Sequence, residues 1–378
     1  MPLPQKLPRP NGITLAGFLL AMAVLPQLGV AQYRQLNLVS DLPRSQIRAI
    51  FRDPNLVNPW GMSFSPTSPI WVSDNGTGVS TLYRGPIGLR RSLVVTIPPP
   101  PGGTGPAAPT GTVFNGTGEF MVSKGGKSGS AFFLFATEDG TIAGWSPSVD
   151  PTNAVIAVDN SSSPGVDNTT SQAIYKGLAI GSAQGKNYIY ATNFRDGVVE
   201  AYDGSFNFVG SFTDPNVTPD ASEPGFAPFG IQNIGDKLYV TFAMQDADKK
   251  DDVKGAGLGF VDVFDLQGNF IAQFANGGTL NAPWGLAMAP SNFGTFSNDV
   301  LVGNFGDGRI NAFDPSTTPA TFKGQLTKSD GTPITIDGLW ALAFGNGANA
   351  QRKNFLFFTA GIEDEAHGLF GRISSIGP

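Results

Sequence analysis

The chain has 378 residues and a formal net charge of -6. With no cysteine and one histidine, His367, it can build no disulfide, thiolate metal site, iron–sulfur cluster or His-rich metal centre. Its acidic balance, with no basic cluster to neutralise phosphates, argues against a nucleic-acid partner. The 49 Gly, 30 Pro and 29 Phe punctuate and fill short apolar runs, the composition of an all-β protein.

The N-terminus reads as an export signal. Lys6 and Arg9 supply positive charge, and Ile13 to Leu25 form an apolar run too short to span a bilayer. Gly29-Val30-Ala31 is a small-x-small cleavage site. Residues 1–31 are therefore expected to be a signal peptide. The mature chain then starts at Gln32, is secreted or periplasmic, and has no transmembrane segment.

Residues Tyr33 to Val39 alternate like a strand but belong to no repeat. Six imperfect copies of one unit follow. The first opens at Asn58-Pro59-Trp60-Gly61-Met62-Ser63-Phe64 and continues through Ile70 to Asn75, Val79 to Tyr83 and Leu93 to Ile97. These are four short runs with the period of two that strands require. Later copies open at Pro109-Thr110-Gly111, Lys176-Gly177, Pro228-Phe229-Gly230, Pro283-Trp284-Gly285 and Leu339-Trp340-Ala341. A hydroxyl recurs at one place in the second runs, as Ser73, Thr137, Thr192, Thr241 and Thr359, with Gly303 in the fifth copy.

This pattern predicts that residues 32–378 form a single six-bladed β-propeller with four-stranded antiparallel blades. The sixth copy lacks a fourth strand, and Tyr33 to Val39 are predicted to supply it and close the ring. Small residues of the first strands (Gly61, Ser63, Gly285, Ala287) are expected to crowd the axis. Their large alternates (Trp60, Met62, Phe64) are expected to fill the space between blades. Pro98 to Pro109 read as a stiff inter-blade loop, and Gln245 to Gly257 as a charged insertion in the fourth copy.

Several stretches carry a resemblance: the Asn-Pro-Trp-Gly opening, Gln245 to Val253, Gly257 to Asp265, and Asp364 to Gly371. They resemble a family of secreted bacterial conserved hypothetical proteins related to NHL-repeat propellers. That resemblance implies a propeller fold and export, and no catalytic residue. At fold level the chain is also similar to the calcium-dependent phosphotriesterase and gluconolactonase superfamily.

Chemistry is expected where loops entering first strands meet loops joining second to third strands. The ligand-binding candidates there are Asn58, Trp60, Asp74, Lys176, Asn193, Arg195, Trp284, Asn304, Asp307, Asp337 and Trp340; Asn75, Glu138 and Asp139 lie on the same loops. Calcium takes six to eight oxygen ligands. Asn58, Asp74, Asn193, Asn304 and Asp337 are candidates for one ion, and Asp246, Asp251 and Asp252 for a second loop. Glu363, Asp364, Glu365 and His367 form the densest titratable cluster and the candidate acid–base group. No nucleophile elbow or phosphate loop is present. The reading is a monomeric propeller that binds a small molecule, glycan or protein through this face. Its alternative is a calcium-dependent hydrolase of the lactonase or phosphotriesterase type.

Overall fold

Five repeats each fold into a four-stranded antiparallel sheet, and the sixth supplies three strands of a last blade that the start of the chain completes, so six sheets make the propeller. The computed structural model describes residues 1, 32–162, 172–217 and 224–376; the expected signal peptide and cleavage site lie outside them. The first strands are Pro59–Ser63, Pro109–Phe114, Tyr175–Ala183, Phe226–Asn233, Pro283–Met288 and Leu339–Phe344, for blades 1 to 6. Blade 2 adds a hairpin, Met121–Lys124 with Lys127–Ser130, between its first and second strands.

The ring closes as the unassigned strand predicts. Tyr33–Ser40 pairs antiparallel with His367–Ser375, from Tyr33 opposite Ser375 to Ser40 opposite Leu369. The last blade thus takes its outermost full strand from the start of the chain, and Phe51–Arg52 adds a short parallel edge. His367 Nδ1 and Asp41 Oδ2 lie 2.7 Å apart, and Gly368 N donates to Asp41 Oδ1 at 2.8 Å. Apolar side chains of adjacent blades interleave, as Leu301 and Ile310 of blade 5 do with Leu339 and Phe358 of blade 6.

One local device repeats around the centre. In every blade the register of first and second strands slips near the start of the first strand. A glycine sits at this bulge in five blades (Gly61, Gly111, Gly177, Gly230, Gly285), with Ala341 in the sixth. A Cβ on Gly230 would lie 2.1 Å from Trp284 O, and one on Gly285 2.4 Å from Trp340 O. Only a bare Cα lets neighbouring first strands approach so closely.

Two of the recurring hydroxyls serve the same seam, those of Thr192 and Thr359. Thr192 Oγ1 accepts from Gly177 N at 2.6 Å and donates to Phe229 O of the next blade at 2.8 Å. Thr359 Oγ1 accepts from Ala341 N and donates to Trp60 O, joining blade 6 to blade 1. In blade 2 the bridge comes from Thr110, whose hydroxyl reaches Tyr175 O at 2.7 Å.

The structure corrects the expected place of Trp60, while Met62 and Phe64 pack between blades 1 and 6 as expected. Trp60, Phe229, Trp284 and Trp340 come from blades 1, 4, 5 and 6 and pack on one another, so they fill the axis. Gly61 and Gly285 instead sit against the first strand of the next blade. The physical reason is backbone proximity: adjacent first strands meet main chain to main chain, while the hole they surround must be plugged by bulk.

Candidate functional site

The residue preceding the bulge position points a ring of six side chains inward: Trp60, Thr110, Lys176, Phe229, Trp284 and Trp340. Trp60 and Trp340 stack with centroids 3.4 Å apart, and Phe305 stacks on Trp340 at 3.9 Å. Blade 3 puts a lysine into this aromatic ring. Lys176 is 1% exposed, and its Nζ lies 5.0 Å from the Trp60 ring and 5.8 Å from Phe194. A cation so placed gains from the ring faces, yet burial demands ionic partners as well.

Those partners come from loops on the face where the first strands begin, termed the upper face. Lys176 Nζ makes a very short contact with Glu138 Oε1, and lies 3.1 Å from Asp251 Oδ1 in the blade 4 insertion. Asn75 donates to Glu138 Oε2 at 2.9 Å. Asn58 donates to Glu365 Oε2 at 2.6 Å, and its own Oδ1 accepts from Trp340 Nε1 at 3.1 Å. Blades 1, 2, 3, 4 and 6 therefore share one polar network over the aromatic floor. Blade 5 contributes Phe305, with Lys254 Nζ 4.3 Å above its ring.

The network contains more carboxylates than its one buried ammonium can neutralise. Burial pulls the Lys176 pKa down, but Glu138 and Asp251 outweigh it and leave the value raised. Burial pushes Asp252 up to about 7, against the pull of Lys176 and Lys254. Burial also raises Glu365, against its hydrogen bond from Asn58 and with help from the Glu138 charge. Asp139 is raised chiefly by burial while accepting from Ala108 N at 2.8 Å. The indole nitrogens of Trp60 and Trp284 are buried without an acceptor, and Asp252 Oδ2 is buried without a donor.

The two faces differ in charge. Upper loops carry the carboxylates just described, together with Asp246, Asp248, Glu363 and Asp364, and these outnumber Arg195, Lys249, Lys250, Lys254 and Arg309 on the same loops. Lower-face loops balance Glu119, Asp150, Asp236 and Asp299 against Lys124, Lys127, Arg352 and Lys353. The chain's negative charge therefore gathers at the mouth above Lys176.

The structure brings together Asn58, Trp60, Lys176, Trp284, Trp340, Asp251, Asp252 and Glu365 from the sequence-based set. It separates the rest. Asp74 is fully buried in blade 1; burial, with the nearby Asp53 charge, raises its pKa. Asn193 donates to Glu200 at 2.7 Å and to Asp196 at 3.1 Å. Asn304 donates to Thr279 O at 2.7 Å and to Asp307 at 3.0 Å. These two asparagines brace the turn after the second strand, the role their side chains commonly take. Arg195 donates to Gln172 O, Asp337 accepts from Glu363 N, and Asp246 accepts from Lys250 N within its own turn.

The Glu363–His367 cluster divides: Glu365 turns to the axis, whereas His367 faces Asp41, with Glu363 3.9 Å from its Nε2. Asn193 and Asn304 spend their amides within their own turns, and among the described residues no group of three His, Asp or Glu is placed to hold a metal ion. Sequence reasoning missed Phe194, Phe229 and Phe305 as parts of the floor. Two of them were signalled by a repeat, Asn193-Phe194 and Asn304-Phe305, directly after the second strands.

Fold and site together define a six-bladed propeller with an asymmetric, acid-rich axial mouth. No family model matches the chain. It is 31% identical over 352 residues to the uncharacterized protein L690 of Acanthamoeba polyphaga mimivirus, covering 92% of this chain and 87% of that one. It is 31% identical over 330 residues to the uncharacterized protein R648 of the same virus, covering 86% and 77%. The chain belongs to the family of these mimivirus proteins. They replace the bacterial relatives that the sequence resemblance implied.

Among solved structures it is similar to a Penicillium chrysogenum alpha-L-arabinanase complexed with arabinobiose, at TM-score 0.54 and 10% identity over 90% of this chain and 97% of that one. It is also similar to a soluble aldose sugar dehydrogenase of Escherichia coli, at 0.51 and 12% over 91% and 100%. At these identities the likeness is one of fold. No helix among the described residues is long and apolar enough to cross a membrane.

Proposed function

We propose that the protein is a ligand-binding propeller and that its upper axial mouth takes a small polyhydroxylated molecule, such as a glycan end. The observation that carries this is the network on Lys176. It sets hydrogen-bond donors (Lys176, Asn58, Asn75) beside acceptors (Glu138, Asp251, Glu365) above a buried aromatic floor. A hydroxyl both donates and accepts, so an array of hydroxyls matches such a mixed surface better than a simple ion does. Excess negative charge at the mouth repels anionic competitors.

The test is a thermal-shift and calorimetric screen of the chain from Gln32 against neutral mono- and oligosaccharides, lactones, simple ammonium compounds and calcium. A native-state binder raises the melting temperature by mass action. A neutral sugar that binds the wild type and loses at least tenfold affinity in Glu365→Gln supports the reading. Shifts with ammonium ions alone refute it.

One observation favours a second reading, hydrolysis by acid–base catalysis. Asp252, held near neutral pKa beside other carboxylates, has the separation of proton affinities that such catalysis uses. Retained turnover in Asp252→Asn removes it; calcium dependence would revive the lactonase-type alternative. Export is part of the proposal too, and N-terminal sequencing of protein recovered outside the producing cell tests whether it begins at Gln32.

A further inference from the structure

We propose that the lower mouth of the axis is a second, separate ligand site, and that it takes a neutral, largely apolar small molecule. Below the aromatic ring the first strands splay apart and enclose a cavity of about 610 Å3. That volume lies within the range that encloses small organic ligands. Its wall includes Met62, Phe64, Phe114, Met288, Leu342 and Phe344, so the first strands of four blades present large apolar groups to one space.

No Asp, Glu, Lys or Arg lines this cavity. A charged ligand would lose hydration there without gaining an ionic partner. The balanced loops of the lower face add no field that would select an ion. Four polar side chains share the wall, Ser63, Thr112, Gln232 and Asn233, and three of them are engaged. Ser63 and Thr112 hydroxyls bond each other at 3.2 Å, and Asn233 donates to Ile180 O at 2.9 Å. Gln232, exposed at the wall, leaves one amide to orient a ligand. Two methionines give the wall side chains that adapt to an irregular apolar shape.

The cavity is blind. Among the described residues, a space of about 30 Å3 continues toward the ring, between Gly61, Gly111 and Gly285, which is room for about one water. A peptide cannot thread through, and the surrounding loops are uneven. They run from Gln184-Gly185 in blade 3 to the excursion 115–132 in blade 2 with its own hairpin. This rim offers no flat area of the size a stable protein interface needs, which favours a small occupant.

The experiment titrates N-phenyl-1-naphthylamine, a neutral apolar fluorophore, into the chain from Gln32. The expected result is saturable enhancement at one probe per chain. Met288→Glu, an exposed rim substitution compatible with the fold, weakens binding at least tenfold, and so does Ala343→Phe, which fills the wall. Both variants keep their melting temperature within about 3 °C. Glu365→Gln in the upper mouth leaves probe affinity unchanged, so this site and the sugar reading stand or fall separately. The sulfonated analogue 8-anilinonaphthalene-1-sulfonate binds at least tenfold more weakly. The proposal is overturned by absent or non-saturable enhancement, by enhancement that survives Met288→Glu, or by equal affinity for the sulfonate. Survival in Met288→Glu would instead place the probe on scattered exposed side chains such as Phe208 and Phe270.

Discussion

Replacing Asp262 by asparagine tests the electrostatics of the blade 4 interior. Asp262 lies on the third strand, Phe260–Asp265, is fully buried, and finds no hydrogen-bond donor for either oxygen. Burial, reinforced by the Asp214 carboxylate beside it, pushes its pKa to about 8. Both causes favour the neutral form of Asp262. The unfolded value is about 3.9, so the folded chain holds a proton that the unfolded chain releases between roughly pH 4 and 8. The protonated Asp262 carboxyl is tolerated fully below that window, and stability is lost as pH rises through it. At about 1.4 kcal/mol per pH unit, the loss between pH 5 and 7 is about 2.7 kcal/mol. An asparagine amide donates to Asp214 at every pH. Urea unfolding of both proteins should therefore show near-equal stability at pH 4.5 and a variant more stable by roughly 4 kcal/mol at pH 7.5. Other buried carboxyls titrate in both proteins and cancel in the difference. A difference that does not change with pH would refute a protonated Asp262 in the folded chain.

Lys176→Met should destabilise the protein by about 3 kcal/mol, because Glu138 loses its buried counter-ion; adding Glu138→Gln should recover most of that in a double-mutant cycle. Gly285→Val should abolish soluble, cooperatively folding protein, since its Cβ would meet Trp340 O at 2.4 Å, main chain that cannot step aside; circular dichroism melts of any recovered protein check it. Thr359→Val should cost about 1–3 kcal/mol by leaving Trp60 O without its donor across the ring closure. The equivalent change at the Gly303 position of blade 5, Gly303→Thr, should bring no gain, because Leu339 and Leu342 already fill that seam.

The repeat made most of the architecture legible. Bulge glycines, recurring hydroxyls and an unassigned N-terminal strand are short-range or periodic signals, and they specify blades and closure without reference to distant contacts. The direction of side chains at the bulge was not legible. A strand reading alternates faces strictly, whereas the slip at Pro59/Met62 and its equivalents resets that alternation, which is why Trp60 was expected between blades and lies on the axis. The site was half legible. Lys176 announced itself as a departure from the aromatic ring, but its pairing with Glu138 and Asp251 joins residues 38 and 75 positions away. Asn193 and Asn304 look like ligands in sequence because capping a turn and coordinating an ion call for the same side-chain oxygens. Only their partners distinguish the two roles.

The closing strand sets a condition on how the molecule comes into being. Tyr33–Ser40 leaves a ribosome before any of the six first strands, and its pairing partner His367–Ser375 leaves after all of them. The ring therefore cannot lock until the sixth blade has been synthesised, and five blades must wait unlatched beside a strand with nowhere yet to dock.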